Sequence, residues 1–215
     1  MDQLAQTRRA TGLAGIAAAV LFGTGSALWG FEQPDSGASV EEIIRFYTEA
    51  SGRIVVGASL SLLAIAAVVV FASGARTILR DAEGDDLLAN TAFGGALLMA
   101  AAGLGAETIN MVGALRADDG QLTGELAQAV FEISYVLGYN AAGVGAGVFA
   151  LATAAVALRT RAVLPRWLAV LSIIVGAALL TPLSPVLLGP GLLVLVAIGV
   201  QLFRSPQAQL KPSDA

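Results

Sequence analysis

Apolar residues fall in six long runs, and charged or turn-forming residues separate them. The first run, Gly12 to Phe31, has no charge and follows Arg8 and Arg9. About 20 helical residues cross the hydrocarbon of one bilayer, so the pattern predicts a span over 12–31. A basic stretch before an apolar run also fits a signal peptide, but this run is longer than a usual signal core and ends in Leu28, Trp29, Gly30 and Phe31. Retention is therefore expected. The same reasoning predicts spans over about 54–75, 87–110, 132–158, 165–181 and 186–203. The last two are short, and Pro182 to Pro185 and the Gly189, Pro190, Gly191 cluster interrupt them. A re-entrant or shallow hairpin is the alternative there.

The connection between the first two runs has a pattern of its own. Pro34, Asp35, Ser36 and Gly37 form a turn signal, and Ser39 with Glu42 has the spacing of a capping box. Val40, Ile43, Ile44 and Tyr47 then share one helical face, with Glu41, Glu42, Arg45 and Glu49 turned away. This predicts a short amphipathic outer helix from Ser39 to Ala50. It would rest on lipid headgroups, plug the bundle or act as a lid. The expected fold is all-α: one polytopic transmembrane bundle over 1–215, of about six spans.

Composition supports that class and removes several others. Of the chain's 215 residues 56% are hydrophobic and 13% charged, with a mean hydropathy of +0.78. Stretches of 18 or more uncharged residues cannot be solvated as soluble helices. There is no cysteine and no histidine, which excludes disulfides, thiolate and imidazole metal ligands and Cys or His nucleophiles. No metal or cofactor is expected. A net charge of −4 argues against nucleic acid as a partner. The lipid bilayer is the expected partner.

Basic residues set the orientation, because cytoplasmic loops retain them. With the N-terminus inside, nine of the twelve lie on the cytoplasmic side: Arg8, Arg9, Arg76, Arg80, Arg159, Arg161, Arg166, Arg204 and Lys211. Only Arg45, Arg53 and Arg116 fall outside. Both termini are thus expected in the cytoplasm, with the protein in a bacterial inner (plasma) membrane.

Candidate chemistry collects at the outer ends of the third and fourth runs. Counting from Leu87 puts Glu107 at the outer edge of its span, with Asn110 on the same face. On the fourth run Glu132, Tyr135, Tyr139 and Gly143 make one stripe, with Asn140 on its flank. By this count the hydrocarbon holds no ionisable side chain, which disfavours ion-coupled transport through midplane carboxylates. The outer cup of Glu107, Asn110, Glu132, Tyr135, Tyr139 and Asn140 is the candidate ligand site, for a cation, an amine or a neutral molecule. Ordinary interface anchoring by Glu and Tyr is the plainer reading. Glu107 and Glu132 as an acid and base pair is the enzyme reading, although no Walker loop, G-x-S-x-G elbow or H-E-x-x-H motif occurs. The catalytic residues of such an enzyme are not legible. Gly15, Ala19 and Gly23, and Gly143 with Gly147, are small-residue faces for helix packing in the bundle or for self-association.

In layout, with an outer turn and amphipathic segment after the first run and a late aliphatic hairpin introduced by Leu164 to Ser172 (LPRWLAVLS), the chain resembles small six-span membrane proteins of actinobacterial type. The resemblance implies topology only, since the group has no known reaction to carry over. The expected function is an outer-face binding or transport protein for a small neutral, cationic or lipid-like molecule. A membrane enzyme using the Glu pair and a ligand-free packing subunit are the alternatives.

Overall fold

The computed structural model describes residues 3–83, 86–160, 163–181 and 184–204, and every regular element among them is helical. Helix α1 is Gln3–Ala27, followed by a 3-10 turn at Gly30–Glu32. Then come α2 (Val40–Glu83), α3 (Asp86–Asp118) and α4 (Gly124–Tyr135). A π-helical turn at Val136–Ala141 joins α4 to α5 (Ala142–Thr160), and α6 (Arg166–Leu179) and α7 (Ser184–Arg204) complete the bundle. Among the described residues four helices are long and apolar enough to cross a membrane: α1, α2, α3 and the continuous 37-residue rod of α4, π turn and α5.

The outer helix expected from Ser39 to Ala50 is not a separate element. Its capping box forms, with the Ser39 N–H donating to Glu42 Oε2 at 2.9 Å and the Glu42 N–H to Ser39 Oγ at 3.3 Å. From there the helix continues for 44 residues, because no proline lies between Pro34 and Pro165 and only Gly52 weakens the junction. At 1.5 Å per residue α2 is about 66 Å long, well beyond the 40–45 Å of a bilayer with its headgroups. Its surplus packs against α3 and α4 as part of the bundle. The buried face is Ile43, Phe46, Tyr47 and Ala50, while Val40 and Ile44 are only half-buried. That face meets Ala114 of α3 and Ala127, Val130 and Phe131 of α4, forming an aromatic-rich cap with Trp29.

Below the cap the helices approach closely through glycine. An added Cβ on Gly25 of α1 would lie 2.5 Å from the Gly57 carbonyl oxygen of α2, and one on Gly95 of α3 would lie 2.7 Å from the Phe149 nitrogen of α5. Gly147 similarly admits α6, whose Gly176 oxygen stands where its Cβ would be. These contacts place Gly147 and its neighbours on interior faces. The lower core then fills with Phe71, Ile78, Leu79, Phe149, Val156 and Leu168.

Helix α6 is shallower than its neighbours. α6 has 14 residues, about 21 Å, and stops at Leu180 beside Gly147, nine residues along the rod from Gly138. The run expected to span 165–181 is therefore too short to do so without local thinning of the bilayer. α7 carries Pro190 in its first half and ends with Phe203 against Gly12 of α1, so α1 begins and α7 ends at the same end of the bundle. Arg76, Arg80 and Arg159 crowd that basic end, bonded to Asn90, Asp86 and Glu83 at 2.8, 2.6 and 2.9 Å. Lys211, used above for orientation, lies outside the described residues.

Candidate functional site

The close approach of Gly25 and Gly57 decides what surrounds the acidic end of α1. With no side chain at Gly57, the Trp29 indole lies over α2: a Cβ there would be 2.8 Å from Trp29 Nε1. One turn further along α2, Ser61 reaches the α2–α3 interface, where its hydroxyl is the polar neighbour of Glu107 but lacks hydrogen-bond geometry. Glu107 is 5% exposed and Trp29 7% exposed. Trp29 Nε1, Ser61 Oγ and Glu107 Oε2 are all buried without a hydrogen-bond partner. Three orphaned polar atoms at one junction are uncommon in native interiors.

Glu107 also lies deeper than counting from Leu87 implies. Arg76 binds Asn90, so the first turn of α3 sits below the apolar stretch, and Glu107 stands across from Ser61, eight residues past Arg53 into the uncharged part of α2. That is about 12 Å below Arg53. Glu107 is thus an ionisable group that faces the interior of the bundle.

Glu107 borders two cavities. The first, about 340 Å³, opens at the acidic end and is walled by Phe22 and Ser26 of α1, Trp29 and Gln33 of the following turn, Glu107 and Asn110 of α3, Ser134 and Tyr139 of the rod, and Pro185 and Gly189 of α7. The second, about 100 Å³, lies beneath it among Ala18, Ile65, Val68, Met99 and Ala100. Phe22, Glu107, Gly138 and Leu192 line both. A wider recess of about 760 Å³ lies at the rim between Glu32–Ala38 and Glu42–Glu49. It is a surface basin whose Glu32 is already held by Arg53, and that guanidinium keeps the Glu32 carboxyl below its usual range.

Other polar groups of the upper cavity are paired. The Tyr47 hydroxyl donates to Asn110 Oδ1 at 2.9 Å, and the Tyr139 hydroxyl to Gln33 Oε1 at 2.7 Å. The second bond ties the rod to the loop after α1. Tyr135 stacks on Tyr139 at 4.5 Å between ring centroids and packs toward the cap.

Of the six expected site residues, Glu107, Asn110 and Tyr139 line the cavity and Tyr135 backs it. Glu132 and Asn140 do not line it and are exposed; Glu132 accepts from Gln128 Nε2 at 2.8 Å. The stripe expected from Glu132 to Gly143 is broken by the π turn, which winds more residues per turn and rotates the flanking faces out of register. Glu107 and Glu132 are therefore not brought together. Trp29, Gln33, Ser61 and Ser134 are site residues that periodicity did not reveal. The pair Gly57 and Ser61, one helical turn apart in an aliphatic run, was the available signal.

Comparisons with family models, curated proteins and solved structures give no match.

Proposed function

We propose that the chain is a polytopic bacterial inner-membrane protein, with both termini cytoplasmic, that binds or carries a small neutral or cationic, lipid-like molecule at its outer face. The layout shared with small six-span membrane proteins supports six crossings, with α6 and α7 as a short final pair. The observation that carries the reading is Glu107, a buried carboxyl with an unpartnered oxygen on the wall of an open cavity. Such a group destabilises a bundle unless something completes its hydrogen bonding. A ligand arriving through the upper cavity would do so. The acid and base pair loses its support because Glu132 faces away.

The charge around the mouth favours a cation or neutral molecule. The segments at that end of the bundle carry Glu32, Asp35, Glu41, Glu42, Glu49, Asp118, Asp119 and Glu125 against Arg45, Arg53 and Arg116. An anion would meet that field without compensation. The test is thermal unfolding of the protein in nanodiscs with small amines, alcohols and carboxylates. A ligand at a hundred times its Kd stabilises by about 2.7 kcal/mol, and we expect that response for amines or neutral molecules only. Glu107→Gln should abolish it and Glu132→Gln preserve it. Equal responses in both variants, or none in the wild type, would remove the proposal and leave a ligand-free packing subunit.

A further inference from the structure

We infer that the ligand is a single-chain cationic amphiphile, with its ammonium head beside Glu107 and its alkyl tail in the apolar chambers beneath. The inference rests on reading the upper cavity as a small-molecule site, and it specifies the ligand's chemistry. The chambers form a descending series. The middle one shares Met99, Leu192 and Leu195 with a third, of about 70 Å³, between α5, α6 and α7. Glu107, at the mouth, is the only charged residue on either apolar chamber among the described residues.

The space is sustained by small side chains that helix packing does not demand. Only Ala18, Val68 and Ala100 form a buried cluster at this level. A Cβ on Gly103 would meet nothing nearer than Ile65 at 3.6 Å, an ordinary contact, whereas one on Gly95 would strike backbone. Glycine within a helix is unfavourable relative to alanine. At Gly95 close packing explains it; at Gly103 what it preserves is the chamber. Protein interiors are otherwise close-packed, and dry apolar cavities bind apolar molecules.

Head and tail are then chosen by different walls. Among the described residues no Lys or Arg lines the upper cavity, so a fatty acid or phosphate head would find no counter-charge. Glu107 supplies the opposite charge for an ammonium, with the Trp29 and Tyr139 rings as cation–π partners. Chambers of about 100 and 70 Å³ admit one short chain, not the paired chains of a phospholipid.

The test follows Trp29 fluorescence in a Trp167→Phe background, in nanodiscs, during titration with alkyltrimethylammonium ions from methyl to octyl. Trp167 is 63% exposed and away from the cavity walls, so its replacement removes background signal. Affinity should tighten up to about fourfold per added methylene and then level off when the chambers are full. Gly103→Leu should reduce the octyl affinity to near that of tetramethylammonium while leaving tetramethylammonium unchanged. If Gly103→Leu does not fold, Gly103→Ala, which fits, should lower the chain length at which affinity levels off.

A flat dependence on chain length, with binding still lost in Glu107→Gln, would overturn the tail and leave the site. Equal binding of octyl sulfate would overturn the cationic head. No change at Trp29 with any compound, together with no effect of Glu107→Gln, would overturn both this inference and the function it rests on.

Discussion

The cap at the acidic end and the bundle at the basic end are held together by different physics. In the cap, large side chains from α2, α3 and α4 bury one another: Phe46, Tyr47, Phe131 and Trp29 fill the space, and Tyr47 pairs with Asn110. In the bundle, glycine and alanine let helix backbones touch, and many large aliphatic side chains face outward. The difference follows from the surroundings. Where water is the alternative, burying an aromatic side chain is driven by the hydrophobic effect; where lipid is the alternative, only packing and hydrogen bonding distinguish inside from outside. The cavity lies where the two modes meet, with the cap's Trp29 on its wall and the Gly25–Gly57 contact beside it.

Truncating one large ring in each region would break the comparison most sharply. Phe131 and Phe71 are both buried, Phe131 in the cap and Phe71 against Phe149 in the bundle. Phe131→Ala should destabilise by about 3–5 kcal/mol, the range for a water-excluded core. Phe71→Ala should cost clearly less, since the transfer contribution is absent in lipid. Chemical unfolding in mixed micelles checks the order, and equal losses would mean that the cap is not a water-driven core.

A smaller effect, opposite in sign at two glycines, sharpens the account of the bundle. Gly145→Ala puts a Cβ 2.7 Å from the Gly95 carbonyl oxygen and should destabilise by about 1–3 kcal/mol. Gly103→Ala makes only an ordinary contact with Ile65 at 3.6 Å and should stabilise by about 0.5–1 kcal/mol through helix propensity. Thermal scans of the two single variants distinguish the positions. Loss of stability in both would show that Gly103 is also a packing glycine.

The smallest effect belongs to the rim. Glu32 is held by Arg53, and its carboxyl titrates below the usual range in the folded protein. A lowered folded value means that the pair's contribution is present above the ordinary carboxylate range and fades as pH falls through the lowered one. Arg53→Gln should therefore lower stability slightly in the neutral region, leave the lowest pH values unchanged, and so flatten the acid limb of a stability-against-pH curve. An unchanged acid limb would show the pair contributes nothing, as exposed ion pairs often do.

How much of this was legible varies with the range of the interaction involved. Periodicity and charge are local, so the helical class, the four long apolar helices, the capping box at Ser39 and the weakness of the last two runs could all be read along the chain. The continuity of α2 was locally encoded too, in the absence of proline, but the change from an amphipathic to an apolar pattern near Arg53 suggested two helices. Glu107 and Asn110 were legible as candidates because polar groups beside apolar runs are conspicuous. Their partners were not. Tyr47 and Asn110 are separated by 63 positions, and Tyr139 and Gln33 by 106, so each pairing exists only once the helices dock.

The depth of Glu107 shows the same division. The chain alone determined that a carboxyl follows an apolar stretch; whether it faces headgroups or the bundle depended on the vertical register of α3 against α2, set by Arg76 meeting Asn90 and by the glycine contacts of the neighbouring helices. Likewise the residues of the π turn were visible, but its rotation, which separates Glu132 from Tyr139, arises from packing that no single-helix period contains. Local pattern determines what each helix is made of and which stretches are apolar. Register, rotation and the space left between helices are decided only by side chains meeting across them.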